Sequence, residues 1–397
     1  MQKKRTPTAL RSFMLAFAAV VLASGLCMAL IYLVGYSGVF AMRYAGVGGV
    51  EAATKPGKNP AVATALVLDK RAYDIKLLEL AHVATSSPWY QYFLTGLAPA
   101  QQPSDGAGAP QPGSASASST PLKKQLWPVK AAYPNYGALL PNNRIVAYYG
   151  NFYSKGMGVL GEYPEDVMLQ KLRAAVAEWE AADPSTPVIP AINYIDVTAQ
   201  ESAGKDGKYR LRMPDSQIDI ALDLAHKVNG IVILDIQVGL SNLQSELPLL
   251  EKYLSMPEVH LGIDPEFAMH NGTPPGRVIG SFSAADINYA AEYLAGLVKK
   301  NNLPPKILVV HRFTEDMVTG YQNITPLPEV QIVMDMDGWG FGAKKINTYN
   351  SVVASEPVQF TGFKLFYKND LKPPSTALMT PAEVLKLTPA PSFIQYQ

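Results

Sequence analysis

Cysteine is almost absent from this sequence of 397 residues. The single cysteine, Cys27, lies in a long apolar run near the N-terminus, so the rest of the chain has no thiol for a disulfide or for nucleophilic attack. This excludes the small secreted domains that need disulfides to stay folded. It agrees with a protein that is stabilised by an ordinary hydrophobic core.

Histidine is also scarce, and the five histidines show none of the spacings of a zinc site. Neither H-x-H nor H-E-x-x-H occurs, so we expect no zinc bound through histidine. A G-x-G-x-x-G motif is present at 156–161, but Glu162, Tyr163 and Pro164 separate it from the following helix. A dinucleotide fingerprint opens its helix directly. We therefore expect no nicotinamide cofactor and interpret the motif as a flexible loop.

A basic surface is missing as well, although the formal net charge is +1. Five basic residues precede the first acidic residue of the chain: Lys3, Lys4, Arg5, Arg11 and Arg43. Removing these five from the 34 basic residues leaves 29 against 33 acidic ones. This balance lacks the excess of Lys and Arg that binding to phosphate backbones needs, so a nucleic-acid partner is excluded.

Residues 12–41 contain no charged side chain and are mostly apolar. The run exceeds the roughly 20 apolar residues that cross a bilayer as a helix. It is also longer than the apolar core of a cleaved signal peptide, which has about 7 to 15 residues. We predict a transmembrane anchor at 12–41 with a basic cytoplasmic tail at 1–11. The chain is then a single-pass protein of the cell membrane, with its C-terminal domain outside the cytoplasm.

Three regions follow the predicted anchor. Residues 42–97 form a juxtamembrane segment, in which apolar residues at helical spacing predict a short helix between Leu68 and Val83. Residues 98–122 are mostly Ala, Gly, Ser, Pro and Gln, a composition that cannot bury enough apolar surface to fold and that predicts a disordered linker. Residues 123–397 are long enough for one large domain.

Within that domain, apolar strand candidates alternate with amphipathic helices. Seven strands are predicted, at 145–149, 188–195, 230–238, 259–266, 307–311, 330–337 and 362–367. The helices between them show apolar stripes of period 3.6, including 168–179, 218–228, 243–254 and 287–298. Such alternation predicts a parallel sheet. We predict an eighth strand at 346–353 and closure into an α/β fold of the (β/α)8 TIM-type barrel.

Three predicted strands end in an acid followed two residues later by an acid or an amide. The pairs are Asp235 with Gln237, Asp264 with Glu266, and Asp335 with Asp337. Side chains alternate across a strand, so each pair shares one face and the apolar residues between them face the other way. Parallel barrels hold catalytic groups at the carboxyl ends of their strands, here called the rim. All six side chains are therefore predicted to point inward at the rim.

Carboxyl groups gathered in this way suit acid–base catalysis. We assign Glu266 as the general acid/base, because Asp264 and Phe267 would raise its pKa by like charge and partial desolvation. Asp337 or Asp235 is then the nucleophile or base across the barrel. Further candidates for substrate binding are Asp335, Gln237, Tyr149, Asn151, Tyr194, His311, Trp339 and Tyr367. The clustered acids are alternatively ligands for a divalent cation, which takes oxygen donors; no other cofactor is expected.

The pairs resemble motifs of TIM-barrel glycoside hydrolases. Asp264-x-Glu266 is similar to the D-x-E of lysozyme-like muramidases, and Asp235-x-Gln237 resembles a shortened acidic strand of family 18 chitinases. The resemblance is one of architecture over residues 143–397 and selects no specific family. It implies hydrolysis of a glycosidic bond by two carboxyl groups.

This sequence departs from both families. Tyr149 and Asn151 stand at the first strand end, where muramidases have an Asp, and Gln237 stands where chitinases have a Glu. The expected function is that of a membrane-anchored, extracytoplasmic glycoside hydrolase-like protein acting on a cell-surface or cell-wall polysaccharide. The alternative is a catalytically inactive protein that binds glycan or assists envelope assembly on the same scaffold.

Overall fold

The structure, a computed structural model, describes residues 67–96 and 125–397. The predicted tail, transmembrane anchor and linker, at 1–11, 12–41 and 98–122, lie outside the described residues. Within the described part, no helix combines the length and the apolar character needed to cross a membrane.

Eight parallel strands close into a barrel, as predicted. The strands of the described part are β1 (Arg144–Gly150), β2 (Val188–Ala199), β3 (Arg210–Arg212), β4 (Ile231–Ile236), β5 (Val259–Ile263), β6 (Phe282–Ser283), β7 (Lys306–Arg312), β8 (Val318–Thr319), β9 (Val330–Met336), β10 (Phe360–Leu365) and β11 (Phe393–Tyr396). The barrel order is β1, β2, β4, β5, β7, β9, β10 and β11, and β11 pairs with β1. The remaining strands are accessory: β3 pairs antiparallel with the end of β2, and β6 pairs with β8.

Helices form an outer layer around most of the barrel. The α-helices of the described part are α1 (Lys70–Leu80), α2 (Pro88–Thr95), α3 (Val159–Glu162), α4 (Glu165–Ala182), α5 (Asp215–Lys227), α6 (Leu243–Glu246), α7 (Glu251–Leu254), α8 (Ala284–Asn301), α9 (Gly342–Thr348) and α10 (Pro381–Val384). The four predicted apolar stripes fall in α4, in α5, in the α6–α7 region and in α8, and they supply much of the core between helices and strands. Ser283 and Asp286 form a capping box at the start of α8.

The position predicted for the eighth strand was wrong. Residues 346–353 are helical, because they lie in α9 and in the π-helical turn Tyr349–Ala354 that follows it. Parallel neighbours need a crossover connection, and this segment is the crossover from β9 to β10. The eighth strand is β11, near the C-terminus. With only four residues it presents two side chains to each face, which is too short a pattern to identify by periodicity.

The segment before β1 and the helix α1 cover the amino ends of the barrel strands. The side chain of Gln331, at the start of β9, binds both backbone groups of Leu140: Oε1 accepts from N at 3.0 Å and Nε2 donates to O at 2.7 Å. The backbone N of Ala390, just before β11, donates to the carbonyl of Leu80 at 2.7 Å. The helix predicted between Leu68 and Val83 is thus present as α1 and packs on the barrel.

The alternation of β5 shows how the barrel separates its two faces. Val259, Leu261 and Ile263 pack in the core shared with the helices. Gly262 faces the interior, where an added Cβ would lie 2.9 Å from the carboxyl carbon of Asp235. The interior near the rim is therefore polar, while the outer face of the same strands is apolar.

Candidate active site

A cavity of about 480 Å³ opens at the rim, which is where parallel barrels place their active sites. Six of the twelve predicted site residues line it: Tyr149, Gln237, Asp264, Glu266, Asp337 and Trp339. Further lining residues that sequence reasoning missed include Met157, Phe313, Lys344, Lys364 and Phe366. The volume is within the range of small-ligand sites.

His311 lies beneath this cavity, at the end of β7, and bridges three carboxyl groups. Its Nε2 is 2.7 Å from Oδ2 of Asp235. Its Nδ1 is 3.3 Å from Oδ2 of Asp337 and 3.4 Å from Oδ2 of Asp335. His311, Asp235 and Asp335 are fully buried and do not line the cavity. Of the six side chains predicted to point inward at the rim, Asp235 and Asp335 lie with His311 one layer below the cavity, and the other four line it.

Two glycines make room for the buried acids. A Cβ at Gly362 in β10 would lie 2.5 Å from Oδ1 of Asp335, and one at Gly262 would meet Asp235. Both glycines occupy inward positions of their strands, beside the strand that carries the acid. Glycine at these positions is therefore a requirement of side-chain space inside the barrel.

Lys364 is the main functional candidate that the sequence analysis missed. Its Nζ lies 3.0 Å from Oδ1 of Asp337 and 3.9 Å from the ring centroid of Tyr149. A signal was present in the sequence, because Lys364 stands two residues after Gly362 and shares its inward face. A lysine in a predicted strand is more often assigned to the solvent side, and here it is buried in the barrel.

Asp264 fixes the conformation of the chain at the rim end of β5 by accepting two hydrogen bonds. Its Oδ2 accepts from Nε2 of Gln237 at 3.1 Å, and its Oδ1 accepts from the backbone N of Glu266 at 3.0 Å. The second bond caps a 3₁₀ turn, Pro265–Phe267, so β5 ends at Ile263 and Glu266 reaches the cavity from this turn. Gln237 is fixed in turn by the backbone N of Ala199, which donates to its Oε1 at 3.1 Å.

The cavity acids differ in proton affinity. Burial, with the nearby Asp264 and Asp337, raises the pKa of Glu266 to about 8. Burial likewise raises the pKa of Asp264 to about 7. Burial also acts to raise the pKa of Asp337, but Lys364 and His311 outweigh it and hold this pKa below its ordinary value. At neutral pH Glu266 is thus the carboxylic acid and Asp337 the carboxylate of the cavity, while Asp264 is partly protonated.

The charge balance of the barrel interior supports this distribution of protons. Five carboxyl groups and two basic side chains, Lys364 and His311, share it. Full ionisation would leave three uncompensated negative charges away from water, which is costly. Burial raises the pKa of Asp335 as well. The raised pKa values of Asp264, Glu266 and Asp335 favour their protonated forms and so reduce the excess of negative charge.

Three residues that were predicted to bind substrate face the helix layer instead of the cavity: Asn151, Tyr194 and Tyr367. Tyr194 stacks on Phe152 with 4.7 Å between ring centroids, and its hydroxyl accepts from Nδ2 of Asn151 at 3.3 Å. The hydroxyl of Tyr367 lies 2.9 Å from that of Tyr148. Each of these contacts is part of the packing around the barrel.

The glycine-rich segment contributes to the cavity wall. Gly156 and Met157 line the cavity. At Gly158 an added Cβ would lie 2.3 Å from the carbonyl O of Tyr149, and at Gly161 a Cβ would lie 2.3 Å from that of Asn151. These two glycines therefore allow the backbone of the segment to pack directly on the end of β1.

The arrangement of the rim acids bears on the alternative of a divalent cation. Among residues 67–96 and 125–397, no three His, Cys, Asp or Glu side chains are arranged to hold a metal ion. Asp337 instead pairs with Lys364, and Asp235 pairs with His311.

No family model and no curated protein matches this sequence. Solved structures similar to it include a cellulase, Cel5C_n, at 14% identity and TM-score 0.32, with 56% of this chain and 65% of that chain covered. A ruminal GH26 endo-β-1,4-mannanase is similar at 11% identity and TM-score 0.32, with coverage of 64% and 59%. A GH18 chitinase from Pseudoalteromonas aurantia is similar at 13% identity and TM-score 0.24, with coverage of 64% and 79%.

These structures are all glycoside hydrolases, and they belong to different families. The predicted resemblance was likewise to TIM-barrel glycoside hydrolases without a specific family, and the structure of this chain shows the barrel. This chain spans 65% and 59% of the first two structures.

Proposed function

We propose that this barrel hydrolyses a glycosidic bond, with Glu266 as the general acid and Asp337 as the nucleophile or base. The observation that carries the proposal is the opposite shift of two carboxyl groups in one cavity: the pKa of Glu266 is raised to about 8 by burial, and that of Asp337 is held low by Lys364 and His311. Glycoside hydrolysis needs this combination of one protonated and one ionised carboxyl group.

In the proposed reaction, the proton of Glu266 passes to the glycosidic oxygen as the bond from that oxygen to the anomeric carbon breaks. Asp337 either attacks the anomeric carbon, forming a glycosyl ester that water then cleaves with Glu266 as the base, or takes a proton from the water that attacks this carbon. Asp337 is preferred to Asp235 because Asp337 lines the cavity, whereas Asp235 lies below it against His311. Lys364 keeps Asp337 ionised and oriented.

The aromatic lining supports a sugar as the substrate. Tyr149, Phe267, Phe313, Trp339 and Phe366 all border the cavity. Aromatic rings bury the apolar faces of pyranoses while the hydroxyl groups are hydrogen-bonded by polar neighbours. The polar neighbours here are Asp264, Gln237 and the proposed catalytic acids.

The proposed setting is the outer side of a bacterial cell membrane, with a polysaccharide of the cell surface or cell wall as the partner. This part of the proposal is supported by the uncharged run at 12–41 and by the absence of cysteine after Cys27. The barrel would then act on glycans within reach of the linker at 98–122.

A second candidate is glycan binding without turnover, as in an inactive descendant or an envelope-assembly factor. The observation that favours it is Gln237, an amide where the chitinase-like pattern has a catalytic acid. Its side chain is hydrogen-bonded to the backbone N of Ala199 and to Asp264, and it has no carboxyl proton to transfer to a leaving oxygen.

The two candidates are separated by reducing-end assays of the full-length protein on a panel of cell-wall and extracellular polysaccharides. Hydrolysis is expected, and Glu266→Gln is expected to lower it by roughly 10²- to 10⁴-fold, the usual contribution of a general acid. The matched control is Glu180→Gln on the exposed face of α4, which should retain full activity. Unchanged turnover in Glu266→Gln would refute the assignment, and binding without hydrolysis in the wild type would establish the second candidate.

A further inference from the structure

Two lysines flank an exposed tryptophan at the mouth of the cavity. The side chain of Trp339 is 47% exposed and borders the cavity. The Nζ atoms of Lys344 and Lys372 lie 4.9 and 5.0 Å from its ring centroid. Lys344 also lines the cavity. We call these three residues the Trp339 corner.

The loop that carries Trp339 is held by a buried ion pair. Nζ of Lys345 lies 3.0 Å from Oδ2 of Asp370, and these residues are 1% and 2% exposed. Lys345 also donates to the carbonyl of Gly338 at 2.7 Å, and the backbone N of Gly340 donates to Oδ1 of Asp370 at 2.8 Å. The residues on either side of Trp339 are thus tied to one buried pair, which presents the indole in a defined position.

The positive charge of the corner is not neutralised by a carboxylate. Among the described residues, neither Lys344 nor Lys372 forms an ion pair, whereas the neighbouring Lys345, Lys364 and Lys368 each do. An aromatic face attracts an ammonium group but carries no net charge, so the interaction leaves the positive charge available. Two such lysines beside a ligand cavity favour a negatively charged ligand.

We propose that the Trp339 corner is a subsite for an anionic sugar unit, whose carboxylate or sulfate group is bound by Lys344 and Lys372. The inference rests on the proposed function, because it specifies which class of glycan the cavity takes. The pyranose ring of that unit packs against the exposed part of Trp339, and its neighbour along the glycan enters the cavity toward Glu266. Neutral glycans lack the group that the lysines bind and are expected to bind more weakly.

The test measures affinity by calorimetry in the full-length Glu266→Gln variant, which prevents turnover. The probes are tetrasaccharides of glucuronate, galacturonate and mannuronate, each beside its methyl ester, and one sulfated neutral tetrasaccharide beside its parent. The variants are Lys344→Gln/Lys372→Gln and a matched control, Lys252→Gln/Lys300→Gln, which removes two exposed lysines of the helix layer.

At least one acidic probe is expected to bind more tightly than its neutral counterpart. Loss of Lys344 and Lys372 should reduce that preference roughly fivefold, the scale of two exposed charge pairs, while the control pair leaves it unchanged. Added salt should weaken the acidic probes more than the neutral ones. A preference for the sulfated probe with the same dependence on the two lysines also supports the subsite and assigns sulfate as its substituent.

Equal binding of every acidic probe and its neutral counterpart would overturn the inference, as would a preference that survives loss of both lysines. The outcome is separable from that of the proposed function. Hydrolysis of neutral glycans without any charge preference retains the function and overturns the subsite. Lysine-dependent binding of acidic probes by a wild-type protein that cleaves none of them retains the subsite and overturns the function.

Discussion

The Nε2 atom of His311 lies 2.7 Å from Oδ2 of Asp235, and both side chains are fully buried below the cavity. The imidazole also faces Asp337 and Asp335 through Nδ1. Burial alone would lower the pKa of His311, but these three carboxyl groups raise it well above its ordinary value. His311 is therefore a buried cation that joins the layer below the cavity to the proposed nucleophile or base.

Replacement of this cation tests its influence on Asp337. In His311→Gln the pKa of Asp337 is expected to rise, because one of the two groups that hold it low is removed. The proposed reaction requires the ionised form of Asp337, so the acidic limb of the pH–activity profile should move to higher pH. A uniform loss of activity at all pH values, with the limb in place, would show that His311 only supports the fold.

The same variant is expected to be less stable. Removing one member of a buried charge pair leaves the other uncompensated and costs about 3–5 kcal/mol of unfolding free energy. Asp235→Asn combined with His311→Gln removes the orphaned charge and should recover part of that loss, as measured by urea unfolding. His311 has a raised pKa in the fold, so the stability it contributes is fully present below about pH 6.5, its unfolded value. This contribution is lost as the pH rises through the folded pKa.

Glu266 is expected to lower the stability of the folded protein as the pH rises, because its position suits catalysis and not folding. Its pKa rises from 4.5 in the unfolded chain to about 8 in the fold. Between these values the folded state binds more protons than the unfolded state, so the unfolding free energy contributed by this group falls as the pH rises. The Glu266→Gln variant has no ionisable group at this position, so this pH-dependent loss of unfolding free energy is absent from it.

The expected result is a melting temperature that declines less steeply from pH 5 to pH 8 in Glu266→Gln than in the wild type. Both proteins should have similar melting temperatures well below pH 4.5, where Glu266 is protonated in the folded and in the unfolded state. Thermal unfolding at a series of pH values provides the measurement, and Glu180→Gln should reproduce the wild-type slope. Parallel curves for Glu266→Gln and wild type would contradict the raised pKa.

The parts of this protein that could be predicted from its sequence are those in which residue type and period agree. β5 ends with Asp264 and Glu266 after an alternating apolar run, and that pattern placed both acids at the cavity. Tyr194 and Tyr367 were predicted to bind substrate but face the helix layer, and this difference has a physical reason. Both faces of a parallel barrel strand are buried, so an aromatic residue suits either face and its type does not reveal which one it occupies.

Other features depend on contacts between residues far apart in the chain. Lys364 is a cavity residue because Asp337, from the neighbouring strand, compensates its charge. The strand β11 exists because β1 and β10 provide partners on both sides of four residues. Neither condition is visible in a local window of sequence, although the alternation that places Lys364 beside Gly362 on the inward face was present.

The inward glycines provide the sharpest test of how the interior is packed. In Gly362→Ala the new Cβ would lie 2.5 Å from Oδ1 of Asp335, and in Gly262→Ala it would lie 2.9 Å from the carboxyl group of Asp235. Overpacking of this kind costs about 1–3 kcal/mol, so both variants should unfold at lower urea concentration.

Gly296→Ala is the matched control, because this exposed position in α8 has no atom within 4 Å of an added Cβ. It should gain about 0.5–1 kcal/mol from the helix propensity of alanine. Destabilisation by all three substitutions would point to a general intolerance of alanine, whereas loss at Gly262 and Gly362 with gain at Gly296 would assign the cost to the buried acids.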